Sequence, residues 1–411
     1  MKKPLLIIFF ILISNTTTAI NIELSFWFSS GFNAKECIEE MVNEYNSIQS
    51  GIKIKAVFQG LYADMETKML AAAVTGQLPD VVQEKFEYID LYIEEGLIEP
   101  VDDYISEYDK NDIFPEMWNT VSRNDKIYGI PFCVNTLIFF YNADLFTQER
   151  INQESLNTWE DIIQIGKKIT ADEDGDGKTD RYALVFWQSG FHMYAPFLWA
   201  YGGNLLSDDG KRVVLTSNAM IQTIAMMRDL AYKYEIMPKN WTDFEGAQAF
   251  LTGKLAMGPF ISGGLSYFEK NLPWSLKVTQ MPSINGKRYS VLTGSALINF
   301  SNNKKKRKAT NDFIFWLIDK ENTIKMFERV GYLPVRKSAI SSLEIKSFIR
   351  ENPNFEIPIK ALTYSKALPH HREYYKINQK LEDMLERILL EGSDPASELE
   401  KTEKEINSLL E

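Results

Sequence analysis

A continuous apolar stretch in the first third of the chain constrains the fold most strongly. Residues 128–142 read YGIPFCVNTLIFFYN and are rich in aromatic and β-branched side chains. Such a run is typical of a β-strand that is buried on both faces. We expect it to carry the chain from one lobe to another and to line the space between them. An ordinary core strand is the alternative that this stretch alone leaves open.

Strands and helices alternate on both sides of this stretch. The patterns predict strands at 22–28, 52–58, 79–83, 181–187, 255–258 and 291–300. They predict helices from 34 onward and at 62–74, 88–95, 157–168, 217–234, 244–251, 309–319, 375–390 and 396–410. This alternation indicates an α/β fold with a mainly parallel sheet. At 411 residues the chain is too long for one hydrophobic core and fits two or three domains.

The N-terminus has the features of a cleaved secretory signal. Two lysines precede an apolar run from Leu5 to Ile13, and small residues follow at Thr17 and Ala19. We therefore expect a signal peptide over residues 1–19 and a mature protein that is exported, either periplasmic or extracellular. A membrane anchor is the alternative, but the run is shorter than the ~20 residues needed to span a bilayer.

Composition narrows the classes of partner. The net charge of −11 at pH 7 argues against nucleic acid or an anionic membrane. Aromatic residues make up 13% of the chain and include eight tryptophans. Their flat faces suit sugar rings, although large cores explain them equally well. Cys37 and Cys133 are expected as buried apolar residues, with a disulfide between them as the alternative.

An acidic loop is the most specific local motif. Its residues Asp172, Asp174, Asp176 and Gly177, followed by Asp180, occupy positions 1, 3, 5, 6 and 9 of a calcium loop. Such spacing supplies the carboxylates that a hard cation needs. Position 12 is an alanine, however, and the flanking elements are predicted as a helix and a strand. A structural Ca²⁺ site and a plain Asp-Gly turn both stay open.

The sequence contains no recognisable catalytic motif. Gly-x-Ser-x-Gly, His-Glu-x-x-His and phosphate-binding glycine loops are all missing from it. His192 stands in an aromatic block and is interpreted as a packing or hydrogen-bonding residue rather than a base. The basic run 304–308 is interpreted as a solvated helix start. We therefore expect a binding protein rather than an enzyme, with no cofactor apart from calcium in the acidic loop.

Seven short stretches carry a family resemblance. They are SFWFS (25–29), GQLPDV (76–81), IPF (130–132), FYN (140–142), NTWED (157–161), GKLAM (253–257) and GYLPV (331–335). Together and in this order they resemble the extracellular solute-binding proteins of ABC importers, family 1, which holds maltose- and glycerol-3-phosphate-binding proteins. GYLPV and the later FIRENP (348–353) bring the chain closest to the glycerol-3-phosphate-binding branch.

The resemblance implies a two-lobed, periplasmic-binding-protein-like (type II) α/β fold with a hinge and an interlobe cleft. Lobe 1 would comprise residues 20–130 with 292–340, and lobe 2 residues 131–291 with 341–411. The ligand contacts implied by the resemblance are Tyr62, Glu87 (or Phe86 after a slip of one residue), Trp187, Ser262, Gly263, Gly294 and Tyr332. In addition, Trp27 is expected to stack on a sugar ring, and Asn135 to bind sugar hydroxyl groups.

Two departures from that branch argue against a phosphate. Val134-Asn135-Thr136 stands where the branch has a pair of serines, and Asn378 where it has a late arginine. A buried phosphate needs arginine donors or a helix N-terminus, and only Arg336 or Arg372 could substitute after a shift.

We therefore expect a monomer that binds a sugar or oligosaccharide and delivers it to ABC permease subunits. Glycerol-3-phosphate or a glycerophosphodiester is the alternative ligand. An exported carbohydrate-acting enzyme and a module that feeds a chemosensor are the other functions that stay open.

Overall fold

The computed structural model describes residues 22–30, 34–186, 190–239 and 243–411. The predicted signal peptide and Trp187 lie outside these residues, so both stay predictions. Within the described ranges, no helix combines the length and the apolar character needed to cross a membrane.

Strands and helices alternate through most of the chain. The strands are β1 (Ile22–Phe28), β2 (Ile52–Phe58), β3 (Val81–Lys85), β4 (Ser122–Arg123), β5 (Lys126–Ile127), β6 (Ile130–Asn142), β7 (Tyr182–Leu184), β8 (Leu255–Ile261), β9 (Leu276–Thr279), β10 (Ser290–Asn299) and β11 (Ser365–Ala367). The helices of the first part are α1 (Ala34–Ile48), α2 (Tyr62–Thr75), α3 (Ile89–Glu94), α4 (Glu107–Asp112), α5 (Pro115–Val121), α6 (Ala143–Gln148), α7 (Trp159–Ile169), α8 (Phe191–Ala200) and α9 (Asn218–Tyr232). Those of the second part are α10 (Asp243–Leu251), α11 (Leu265–Asn271), α12 (Lys304–Leu317), α13 (Lys320–Arg329), α14 (Lys337–Ile340), α15 (Leu343–Glu351), α16 (Glu356–Ala361), α17 (Tyr374–Leu390) and α18 (Pro395–Leu410).

The main sheet has the strand order β2-β1-β3-β10-β6-β8-β7, with β11 added to β10 and β9 added to β6. Strands β1, β2 and β3 run parallel, as do β7 and β8, and β10 and β11. In contrast, β10 runs antiparallel to β3 and β6, and β6 runs antiparallel to β8 and β9. The prediction of a mainly parallel sheet is therefore wrong for its centre. The reason is that β10 returns to the first strands from the far side of the molecule, so no right-handed βαβ crossover sets its direction.

Strand β6 divides this sheet into two halves. Its start, from Ile130 to Thr136, pairs with β10, and its end, from Leu137 to Asn142, pairs with β8 and β9. We call the part containing β2, β1, β3 and β10 the first half, and the part containing β7, β8 and β9 the second half. All 13 residues of β6 are buried, which confirms the prediction of a strand that is buried on both faces and joins two parts of the chain.

Local sequence explains where several helices begin and end. Thr158 accepts a hydrogen bond from the amide of Asp161, whose carboxylate accepts from Thr158 in return, and this capping box starts α7. Gly76 ends α2 in the left-handed conformation. The basic run forms the first turn of α12, which Asn303 caps, so this helix begins five residues before the predicted 309 and the run is a helix start.

Apolar side chains form two cores, one on each side of β6. Ile138 and Phe140 belong to the first core, and their neighbours Leu137 and Phe139 to the second. Helices α17 and α18 pack on each other and cover the second core through residues such as Leu381. Both cysteines are buried and free, which confirms their interpretation as apolar core residues.

Candidate ligand-binding site

The centre of the molecule is a polar cluster built on the middle of β6. Asn135 is 4% exposed, and its Oδ1 accepts a hydrogen bond of 3.4 Å from Ser262 Oγ. Ser262 Oγ in turn accepts a bond of 3.3 Å from the amide of Thr136. A methyl group on Gly263 would lie 2.5 Å from Asn135 Oδ1 and 2.8 Å from the ring of Tyr332. The structure therefore brings together four of the predicted contacts: Asn135, Ser262, Gly263 and Tyr332.

Gly294 allows β10 to approach this cluster. It pairs with Val134 on β6 and has a φ of +143°. A Cβ atom at this position would lie 2.0 Å from the carbonyl oxygen of Cys133, so only glycine fits. The predicted Gly294 is thus beside the cluster, and its structural role is the close contact between two backbones.

A second group of polar side chains connects β3 to β10. Gln83 Nε2 donates to the Tyr62 hydroxyl at 3.2 Å and to Ser295 Oγ at 2.9 Å. Burial raises the pKa of both Tyr62 and Tyr332, and the hydroxyl of Tyr62 interacts with those of Ser295 and Tyr332. This chain of contacts joins Tyr62 to the cluster on β6. Gln83 and Ser295 were not predicted, because neither belongs to a motif and 212 positions separate them.

Glu87 lies on a short 3₁₀ turn, Phe86–Tyr88, that follows β3. Its side chain is 9% exposed, and its Oε2 has no hydrogen-bond partner among the described residues. Burial raises the pKa of this carboxyl, while the charge of Lys85 acts in the opposite direction. Phe86, the alternative position, packs in the first core. Of the two residues, only Glu87 therefore offers a polar group.

Helices α8 and α17 of the second half face this turn. The Tyr88 and Tyr375 rings are in contact, with centroids 6.2 Å apart and planes tilted by 37°. Tyr194 on α8 is fully buried, and its hydroxyl has no partner within the described ranges. Burial lowers the pKa of His192 to about 4, with the charge of Lys85 adding to the effect. His192 is thus neutral at physiological pH, which agrees with its interpretation as a packing residue.

Asn378 on α17 connects the two helices that face this turn. Its Oδ1 accepts a 3.0 Å hydrogen bond from the amide of Phe191, at the start of α8, and its Nδ2 donates to Glu382 Oε1 at 2.8 Å. The amide therefore holds α8 to α17.

The two alternative phosphate donors are both engaged elsewhere. Arg336 is 4% exposed and pairs with Asp109 at 2.7 Å and Asp112 at 3.3 Å. Arg372 pairs with Glu94 at 2.9 Å. Neither guanidinium is free to take a buried phosphate.

Trp27 lies apart from the cluster on β6. It pairs with Val82, the residue before Gln83, and its half-buried ring packs against the first core. Its stacking role stays a prediction, as does that of Trp187.

The acidic loop forms a compact turn between α7 and β7. Oxygen atoms of Asp172, Asp174 and Asp176 lie within 4.8 Å of one another, and all three residues are exposed. Asp172 accepts hydrogen bonds from the amides of Gly175 and Gly177. Asp180 accepts from the amide of Glu173 instead of joining the three. Backbone amides thus stabilise this turn, and calcium binding there stays a prediction.

Two sheet halves that share a crossover strand and enclose buried, partly unpaired polar groups define a ligand-binding protein of two lobes. The profile of the family described as "Bacterial extracellular solute-binding protein" matches residues 40–356. The chain belongs to this family, whose members are binding proteins rather than enzymes.

Proteins whose names or titles state a ligand match most of the length of this chain. The sn-glycerol-3-phosphate-binding periplasmic protein UgpB of Rhizobium meliloti is 26% identical over 355 residues, 82% of this chain and 80% of its own. An ABC substrate-binding protein of Listeria monocytogenes in complex with cycloalternan has a TM-score of 0.83 at 18% identity, over 95% of this chain and 99% of that one. UgpB of Mycobacterium tuberculosis in complex with glycerophosphocholine has a TM-score of 0.83 at 19% identity, over 94% and 98%. These similarities confirm the two-lobed periplasmic-binding-protein-like fold.

Proposed function

We propose that this exported protein is the substrate-binding component of an ABC importer, which captures a sugar or oligosaccharide between its lobes and delivers it to the membrane permease. The lobes are those expected from the sequence, 20–130 with 292–340 and 131–291 with 341–411, and the protein acts as a monomer. Closure of the lobes around the ligand creates the bound state that the permease distinguishes from the open one.

One observation carries this proposal: where the halves meet, buried polar atoms from both of them have no hydrogen-bond partner among the described residues. They are Gln83 Oε1 and Glu87 Oε2 in the first half and the Tyr194 hydroxyl in the second. A buried polar group without a partner costs about 1–3 kcal/mol. Ligand hydroxyl groups would supply the missing hydrogen bonds, and the rings of Tyr62 and Tyr332 offer apolar faces for the C–H side of a sugar.

The polar contacts proposed for the ligand are Glu87, Asn135 and Ser262, next to the close-approach glycines Gly263 and Gly294. Trp27 and Trp187 are proposed as additional stacking residues. The ion pairs of Arg336 and Arg372 support a sugar over a phosphate ligand.

Glycerol-3-phosphate or a glycerophosphodiester is the second candidate, because relatives with those ligands in their names cover most of the chain. A thermal-shift screen of the mature chain distinguishes the two. We expect oligosaccharides to raise the melting temperature and glycerol-3-phosphate to leave it unchanged. Stabilisation by phosphate compounds alone would reject the sugar. Turnover of a stabilising sugar would instead identify an enzyme.

A further inference from the structure

The carboxylates of the cleft outnumber its cations. Lys85 Nζ lies 3.1 Å from Glu66 Oε1, and these two charges balance each other. Glu87 and Glu382 form no ion pair with any described residue. Among the described residues, Glu87 Oε2 has no hydrogen-bond partner. Glu382 accepts a hydrogen bond only from the neutral amide of Asn378, at 2.8 Å. Lys85 acts on both carboxyl groups only from beyond ion-pair distance, so neither Glu87 nor Glu382 has a cation of its own among the described residues.

These two carboxylates belong to opposite lobes and approach the same side chain. Tyr374 stands at the start of α17, which packs on the turn that carries Glu87. Burial raises the pKa of Tyr374 well above its ordinary value, and the nearby charges of Glu87 and Glu382 raise it further. Both acids thus border the contact between the lobes, next to the buried phenol rings of Tyr374 and Tyr194.

Among the described residues, no basic group lies within ion-pair distance of Glu382. A methyl group on Gly190 would lie 3.1 Å from Glu382 Oε1 and 2.8 Å from His192 Nδ1, so the imidazole is the nearest basic group on α8. That imidazole has a pKa of about 4 and carries no charge at neutral pH. Lys85 is already paired with Glu66.

An uncompensated carboxylate in a desolvated site is costly. A neutral hydroxyl group can donate a hydrogen bond to the carboxylate but does not balance its negative charge. A cation with N–H groups does both, and any cation is attracted to the electron-rich faces of tyrosine rings. We propose that the ligand carries a positively charged nitrogen, held between Glu87 and Glu382 as the lobes close. This inference rests on the proposed function, because it concerns the ligand of the same cleft.

A protonated amine on a sugar and a quaternary ammonium head group share this chemistry. Calorimetric titration of the mature chain distinguishes them with two matched sets: a glucosamine disaccharide against its N-acetylated and all-hydroxyl counterparts, and glycerophosphocholine against glycerophosphoglycerol. We expect the member that carries the charged nitrogen in one set to bind at least about tenfold more tightly than the counterpart without it. The set that shows this preference identifies the source of the nitrogen.

Variants assign the preference to the two carboxylates. Glu87→Gln and Glu382→Gln each keep the shape of the side chain and are expected to reduce the preference to less than about threefold. Glu95→Gln, at an exposed site of the first lobe, should retain it. Circular dichroism confirms that each variant is folded.

Equal affinity for members with and without the charged nitrogen would overturn the inference and leave the proposed function intact. A preference that survives both cleft substitutions would also overturn it. Failure of every sugar to bind would reject the proposed function itself, whichever phosphodiester binds.

Discussion

Arg372 and Glu94 form an ion pair with a distance of 2.9 Å between Nη1 and Oε2. Glu94 ends α3 and Arg372 precedes α17, and the proposed lobe boundaries place these two segments in different lobes. Arg372 also contacts Glu373 within its own lobe, so only the contact with Glu94 depends on closure.

Glu94→Gln should therefore favour the open state. Because both side chains are largely exposed, we expect ligand affinity to fall only about two- to threefold, and less at high salt. Titration calorimetry at two salt concentrations measures this, with Glu95→Gln as the control. An unchanged affinity at low salt would show that the pair does not contribute to closure.

Gly294→Ala should destabilise the fold severely. The new methyl group would lie 2.0 Å from the Cys133 carbonyl oxygen, and neither backbone can move without breaking the β6–β10 pairing. We expect a loss of more than about 3 kcal/mol in urea unfolding. Gly76→Ala, with φ +67° and no atom near the added methyl group, provides the matched control and should cost about 1 kcal/mol. Equal losses for the two would refute the close approach.

Gly263→Ala should weaken ligand binding more than it weakens folding. Here the added methyl group meets the side chains of Asn135 and Tyr332 at 2.5 and 2.8 Å, so the cluster must rearrange although the backbone is not strained. We expect at least about a tenfold loss of affinity, since small displacements of binding groups cost much of their interaction. Gly51→Ala, which meets nothing within 4 Å, should bind normally. Normal binding by Gly263→Ala would remove this cluster from the site.

Glu84 makes stability depend on pH. It is fully buried, and burial raises its pKa to about 8, while the hydrogen bond from the Lys85 amide acts in the opposite direction. The folded state thus holds a proton that the unfolded state loses near pH 4.5. Its contribution to the free energy of unfolding is full below that pH and declines as pH rises towards 8.

Glu84→Gln should remove this decline, because the amide oxygen still accepts from the Lys85 amide and the amide nitrogen can donate to the Tyr92 hydroxyl. We expect the variant to be more stable than the native chain at pH 8 and similar to it at pH 5. Urea unfolding at the two values measures the difference. Parallel losses in both proteins would assign the pH dependence to other groups.

The sequence predicted elements whose signal is local. Strand β6 is a continuous apolar run, α7 starts with a capping box, and both lie where expected. The antiparallel centre of the sheet was missed, because the direction of β10 depends on a partner more than 150 positions away.

The residues of the candidate site also fall into those that the sequence predicted and those that it did not. Ser262, Gly263 and Tyr332 were predicted from stretches that match the family, and Asn135 from its place in the apolar stretch that became β6. Gln83, Glu66, Tyr194, Tyr374 and Glu382 belong to no motif. Gln83 and Glu66 meet their partners inside the first half, and the other three lie on α8 and α17, whose packing depends on residues far apart in the sequence. Asn378 explains one departure from the family pattern, because its amide holds α8 to α17.

Mass spectrometry of the small molecule released from the protein, purified in its exported form, identifies the ligand itself. We expect one sugar or oligosaccharide per chain, and no such molecule from a Gly263→Ala variant prepared in parallel. Release of glycerol-3-phosphate or another phosphate compound in place of a sugar would contradict this expectation.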